Sequence, residues 1–218
     1  DSEDLRKTGL WVASRHQEWS GSVLALLEEK VNAADFAPES AGPIRDVILA
    51  YAADTKVQEF MARVAGDDSA PAPRRLFMLD TIEKANLDPL PDGIIQSVGK
   101  SLQSADETIR YRAATLIASR KIGAFDELLL GLADNAGETP ALRISALGTV
   151  QARHPEVTGP RYTFLLEQLA TTADPALRLS AGKVVGGSKL TNDQLRALAG
   201  TYLPKADALT FPALLDAF

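Results

Sequence analysis

The residues with the most regular spacing in this chain are arginines. Arg143 and Arg178 lie in two nearly identical segments, Thr-Pro-Ala-Leu-Arg-Ile-Ser-Ala and Asp-Pro-Ala-Leu-Arg-Leu-Ser-Ala, and weaker copies recur upstream every 30 to 39 residues. The row consists of Arg6, Arg45, Arg75, Arg110, Arg143 and Arg178. Such a row could bind an anionic ligand, or it could stabilise the stacking of repeated structural units. We favour the structural interpretation, an arginine ladder between repeats.

The position of these arginines within their helices predicts the kind of partner they need. Arg143 and Arg178 each lie four residues after a capping residue, in the first helical turn. The helix dipole disfavours a cation there by a few tenths to about 1 kcal/mol. We therefore expect a compensating carboxylate at the turn of a neighbouring repeat, such as Asp134, Glu138 or Asp174.

The two histidines, His16 and His154, occupy parallel positions in Ser-Arg-His-Gln-Glu and Ala-Arg-His-Pro-Glu. A protonated histidine complements the dipole at a helix C-terminus, and a catalytic histidine would need no copy in a second repeat. Helix termination is therefore the favoured role. Trp11 and Trp19 flank His16 and could bind a sugar, but contact with the core or with a neighbouring domain is the more typical role of such a pair.

Composition excludes several kinds of site. The chain has a net charge of −6, which argues against binding nucleic acid or an anionic membrane surface. It has no cysteine, so disulfides, thiolate metal sites and covalent haem attachment are excluded within these residues. Adjacent carboxylates on a helix diverge by about 100°, so they do not converge on one substrate atom. We predict no catalytic, cofactor-binding or metal-binding residue, and no membrane insertion.

The surrounding sequence predicts an all-α protein. Alanine and leucine dominate, and apolar residues recur at helical spacing. Thr139-Pro140 and Asp174-Pro175 are typical helix starts, and Thr191 with Gln194 forms a capping-box pattern. A second helix is predicted between each pair of arginine-bearing helices, at roughly 20–31, 55–65, 92–103, 123–133, 160–170 and 191–203. Residues 1–218 are therefore expected to form a single domain of about six helical hairpins.

The pattern Asp-Pro-x-Leu-Arg-x-x-Ala-x-x-Val resembles HEAT-type repeats, best over 104–186. This resemblance implies a right-handed α-α superhelix, a HEAT/armadillo-like solenoid with the arginine-bearing helices on its concave side. Residues 4–19 and 173–218 are similar to the HEAT-repeat region of large bacterial multidomain haem-binding proteins, described as membrane-bound dehydrogenases. In that family the region joins a β-propeller to a cytochrome c module. The resemblance implies an extracytoplasmic redox parent protein, but no redox residue is carried over.

The last segment places Phe211, Leu214, Leu215 and Phe218 on one apolar stripe of a helix. A self-contained solenoid has polar capping repeats, so this stripe predicts a fragment excised from a larger protein. Contacts with the neighbouring domains are expected at the two ends of the chain. The residues expected there are Trp11, His16, Trp19, Phe211 and Phe218.

These observations favour a non-catalytic scaffold whose partner is another protein or a neighbouring domain of the same chain. The alternative is a HEAT-like enzyme, such as a DNA glycosylase that excises alkylated bases. That activity needs a basic groove, which the acidic composition disfavours. Lyases that attach bilin chromophores also use short HEAT-like repeats and are a third possibility.

Overall fold

The computed structural model describes residues 8, 9, 11, 12, 15, 16, 19–171 and 174–218. The described residues form α-helices with short 3-10 and π turns, and they contain no β-strand; one isolated bridge joins Glu156 and Lys189. The prediction of an all-α protein is confirmed. The helices are α1 (Ser20–Asn32), α2 (Gly42–Ala50), α3 (Thr55–Ala65), α4 (Ala72–Lys84), α5 (Asp92–Leu102), α6 (Glu107–Ser119), α7 (Asp126–Asp134), α8 (Pro140–Val150), α9 (Gly159–Thr171), α10 (Pro175–Gly186), α11 (Asn192–Ala197) and α12 (Thr210–Leu215).

The predicted caps are present. Thr139 accepts a hydrogen bond from the backbone N–H of Leu142 at the start of α8, and Asp174 accepts two at the start of α10. Thr191 and Gln194 form the predicted capping box. Because a cap satisfies donors that no helical carbonyl can reach, each of these residues fixes where its helix begins.

One predicted helix differs from the structure. The expected helix at 191–203 becomes α11, a π turn at Leu198–Tyr202 and a 3-10 turn at Leu203–Lys205. Pro204 has no backbone N–H, so an α-helical hydrogen bond cannot be donated from this position. The chain therefore leaves the regular helix before the proline.

Contacts between helices divide the chain into two compact units, residues 1–116 and residues 117–218. In the first unit, α3 packs on both α4 and α5, α1 contacts α2 and α3, and α2 contacts α4. The largest fully buried side chains of this unit include Tyr51, Phe60, Met61, Phe77 and Met78. The pairing of α3 with α4 is a helical hairpin of the predicted kind.

The second unit is built from the same kind of hairpin. Helix α7 packs on α8, α9 packs on α10, and α10 also contacts α8 and α12. Its buried apolar side chains include Leu129, Leu142, Leu165 and Val185. In the described part of the chain, no helix has the length and apolar character required to cross a bilayer.

Candidate functional site

Arg75 is almost completely buried, with 3% of its side chain exposed. Its Nε donates a hydrogen bond to the backbone carbonyl of Ala65 at 3.1 Å. Its Nη1 donates to Ser104 Oγ at 3.2 Å and lies 2.8 Å from Asp68 Oδ1. Ala65 is the last residue of α3, so the guanidinium lies against the C-terminus of the preceding helix, where unpaired carbonyls carry partial negative charge.

Arg143 makes the same contact in the second unit. Its Nε donates to the carbonyl of Ala133, near the end of α7, at 2.8 Å. The acceptor lies ten residues before the arginine in both cases. The guanidinium of Arg143 also lies 3.6 Å from the ring centroid of Phe164, which adds a cation–π contact.

Arg45 and Arg110 occupy related positions in the first unit. Arg110 donates from Nη1 to the carbonyls of Ser104 at 2.8 Å and Ala105 at 3.0 Å, just beyond the end of α5. Arg45 lies 5.0 Å from the ring centroid of Phe77. Arg6 lies outside the described residues.

Carboxylate partners are found at two of these arginines, but neither partner is among the expected Asp134, Glu138 and Asp174. Arg75 pairs with Asp68, and Arg178 pairs with Asp207 at 3.1 Å. At Arg143 the direct partner is a carbonyl instead, because the Asp134 carboxylate accepts two hydrogen bonds from Arg161, each at 2.7 Å. The pKa of Asp134 is lowered chiefly by Arg161, with a smaller contribution from the charge of Arg143.

Neither Asp68 nor Asp207 was expected from the sequence to pair with an arginine. Asp207 carries a usable signal, because its Oδ1 accepts the backbone N–H of Thr210 at 2.8 Å, the geometry of a residue capping α12. An aspartate three residues before a threonine and an apolar helix is a recognisable cap. Asp68 has no comparable signal, since it is one of two adjacent aspartates in a turn.

His154 follows the end of α8, and its backbone N–H donates to the carbonyl of Val150 at 2.8 Å. Its ring Nε2 lies 3.1 Å from Asp126 Oδ2, and Arg153 binds both oxygens of the same carboxylate at 2.7 and 2.6 Å. The hydrogen bonds from Arg153, with a smaller contribution from His154, lower the pKa of Asp126. The cluster joins the end of α8 to the start of α7.

His16 lies in a different environment. Its ring stacks on Trp19 with centroids 4.1 Å apart, and its carbonyl accepts a hydrogen bond from the hydroxyl of Tyr51. Trp11 is 60% exposed and Trp19 is 44% exposed, so neither is a core residue. The guanidinium of Arg15 lies 4.9 Å from the ring of Trp11.

The predicted apolar stripe at the end of the chain is divided between two faces. Leu214 is buried where α12 packs on α10, whereas Phe211, Leu215 and Phe218 are 40%, 44% and 62% exposed. The packing face of α12 carries Thr210 and Leu214, which leaves the two phenylalanines on the outer side. Trp11, Trp19, Phe211 and Phe218 are therefore all accessible to a partner.

The Asp67 carboxylate is engaged within its own turn. Asp67 accepts the backbone N–H and the hydroxyl of Ser69, and these hydrogen bonds lower its pKa. Within the described ranges, no three His, Asp or Glu side chains form a group that could hold a metal ion.

A scan of protein-family models, a search of curated proteins and a search of solved structures each find no match to this chain. The HEAT-type family and the redox parent protein therefore stay predictions from the sequence.

Proposed function

We propose that this chain is a non-catalytic scaffold built of HEAT-like helical hairpins. It would bind a protein partner, or space and dock the neighbouring domains of an extracytoplasmic redox protein. The redox parent, the right-handed superhelix and the location outside the cytoplasm come from the sequence resemblance alone.

The recurring arginine contact is the observation that carries this proposal. Arg75 and Arg143 lie in different units, yet each donates from Nε to the carbonyl ten residues before it. Two of the regularly spaced arginines thus hold a helix to the end of its predecessor. Solenoid proteins repeat their packing contacts in this way, and their stacked units form an extended binding surface.

The distribution of exposed apolar side chains supports a docking role. Among the described residues, six of the eight exposed large hydrophobic side chains lie before residue 20 or after residue 208. They are Trp11, Trp19, Leu209, Phe211, Leu215 and Phe218. Exposed apolar groups concentrated in two segments are more typical of contact surfaces than single exposed residues are.

The proposal is tested with the complete reading frame that encodes this chain. Its other domains are expressed separately and titrated with the purified chain by isothermal calorimetry. We expect binding that the double variant Phe211→Ser, Phe218→Ser weakens about tenfold or more, because truncated anchor residues at interfaces typically cost over 1 kcal/mol. Leu128→Ser is the matched control, since Leu128 is similarly exposed at 41% but lies elsewhere, on α7.

A reading frame that encodes no other domain would contradict the docking proposal. Equal weakening by Leu128→Ser would show that the phenylalanines have no particular role.

A further inference from the structure

The second unit contains a cavity of about 410 Å³ between the end of α9, the start of α10, the π turn and α12. We call it the Arg178 cavity. Its walls include Leu169, Arg178, Tyr202, Lys205, Asp207 and Leu214. The volume lies at the lower end of the range typical of small-molecule sites, about 300–1,000 Å³.

The local backbone places the polar groups of this cavity. Tyr202 ends the π turn Leu198–Tyr202, and Lys205 ends the 3-10 turn that follows it. A continued α-helix would present residues 202 and 205 at a regular helical spacing on a single face. Single π turns inserted beside α-helices are frequent at functional sites.

The arginine ladder changes at this cavity. Arg75 and Arg143 donate from Nε to helix-terminal carbonyls, and Arg75 is buried. Arg178, in contrast, has 28% of its side chain exposed and pairs with Asp207, while its Nε is a buried donor without a hydrogen-bond partner among the described residues, as is the Nε of Arg45. Arg75 and Arg143 therefore bind the end of the preceding helix, whereas Arg178 lines an open cavity.

The polar groups around the cavity leave an excess of hydrogen-bond donors. Asp207 is the acidic residue of the wall, and its oxygens are engaged by Arg178 and by the backbone N–H groups of Leu209 and Thr210. Over the described part of the chain, Lys205 has no ion pair and the Tyr202 hydroxyl makes no hydrogen bond. With two cations and one carboxylate, the lining carries a net charge of +1.

We propose that the Arg178 cavity binds a small organic monocarboxylate. The carboxylate would accept hydrogen bonds from Lys205, Tyr202 and the Nη2 group of Arg178. One negative charge matches the net charge of the lining, and Leu169 and Leu214 provide contact for an apolar body. This site is independent of the scaffold role, because its lining includes none of the exposed apolar side chains proposed to contact a partner.

The test uses benzoate and hexanoate as probes, with benzamide and hexanamide as neutral counterparts. Each is titrated into the isotopically labelled chain and followed by backbone amide chemical shifts. We expect saturable shifts at residues 201–210 with the carboxylates and at least tenfold weaker binding of the amides, because hydrogen bonds to ionised acceptors are the stronger kind.

Lys205→Gln is expected to weaken carboxylate binding about tenfold, the effect of losing one charge-assisted hydrogen bond. Tyr202→Phe should weaken it less. Both residues are only partly buried or exposed, so the variants should fold. Lys189→Gln is the matched control, because its ion pair with Glu156 is highly exposed and outside the cavity, and it should leave binding unchanged.

Three outcomes would overturn the proposal. The first is the absence of saturable shifts with either carboxylate. The second is equal binding of the amides, which would mean apolar contact without recognition of charge. The third is tighter binding of inorganic phosphate than of both carboxylates, which would assign the cavity to another anion.

Discussion

At the scale of single residues, Arg143 shows how a cation can be stable in the first turn of a helix. Its guanidinium bonds the carbonyl of Ala133 and covers the ring of Phe164, so the partial negative charge of one helix end offsets the unfavourable dipole of the next. We expect Arg143→Ala to lower the free energy of unfolding by about 1–3 kcal/mol, because a partly buried acceptor loses its donor. Chemical denaturation measures this directly.

Arg196→Ala is the control for that measurement. Arg196 is 80% exposed and pairs with Asp193 on its own helix, so its loss should change stability by less than about 0.5 kcal/mol. If Arg143→Ala unfolds at the same denaturant concentration as the unmodified chain, the guanidinium is solvated and the ladder has no structural role.

Asp126 predicts a pH dependence of stability. Its pKa is held below the ordinary value of 3.8, chiefly by the hydrogen bonds from Arg153. A depressed carboxyl pKa contributes stability above pH 3.8 that is lost as the pH falls through the folded-state pKa. We expect Asp126→Asn to lower the free energy of unfolding by about 1 kcal/mol at pH 7.

The difference between the variant and the unmodified chain should shrink as the pH falls from 3.8 through the folded-state pKa, because below that pKa both side chains are neutral. Denaturant melts at a series of pH values measure it. Glu127→Gln, at the exposed neighbouring position on α7, should show no such dependence. A difference that stays constant down to pH 2 would mean that the Arg153 pair contributes nothing through its charge.

The positions of the arginines follow from the repeat, but their partners do not. Every helix ends in unpaired carbonyls, whatever its residues are. The amino-acid sequence therefore does not indicate that the carbonyl of Ala133 is the acceptor. Asp207 could be recognised as a cap of α12 but not as the partner of Arg178, because that pairing depends on how α12 folds back against α10. The Arg178 cavity therefore could not be predicted from the sequence.

At the scale of helices, capping residues were sufficient to place the start of three helices. Thr139, Asp174 and Thr191 begin α8, α10 and α11 because each satisfies backbone donors that the helix leaves unpaired. The π turn at Leu198–Tyr202 was missed, since nothing in Leu-Ala-Gly-Thr-Tyr specifies a π turn. Gly200, a poor helix former, and Pro204 were the available signs that the regular helix stops early.

The packing of α12 on α10 depends on Gly186. A Cβ at this position would lie 1.8 Å from the carbonyl oxygen of Ala213, a backbone atom that can move only if α12 shifts. We expect Gly186→Ala to lower the free energy of unfolding by about 1–3 kcal/mol, the usual cost of overpacking. Thermal or chemical denaturation measures the change.

Gly131→Ala is the matched substitution on α7. Nothing lies within 4 Å of a Cβ at position 131, so the alanine should stabilise the helix by about 0.5–1 kcal/mol. If Gly186→Ala were as stable as Gly131→Ala, the close approach of α10 and α12 would not exist in solution.

At the scale of the whole molecule, the fold class was accessible because composition and helical periodicity depend only on nearby residues. Apolar residues that recur at helical spacing also indicate which face of each helix is buried. The packing of one hairpin on another depends on contacts spread over many small residues. The types of these residues do not identify which helices they contact. The packing of α10 between α9 and α12 is of this kind, and it decides which residues line the cavity.

The proposed scaffold role predicts that the chain carries no haem chemistry of its own. Haem iron in proteins is held by residues such as His, Met or Cys. Met61 and Met78, the two methionines, are fully buried in the core, the ring of His154 is bound to Asp126, and the chain has no cysteine.

We expect no new Soret band when haem is added to the purified chain, and no turnover of sugars or alcohols with an artificial electron acceptor. A stoichiometric Soret band that His154→Ala or His16→Ala abolishes, or measurable dehydrogenase turnover, would contradict the scaffold role.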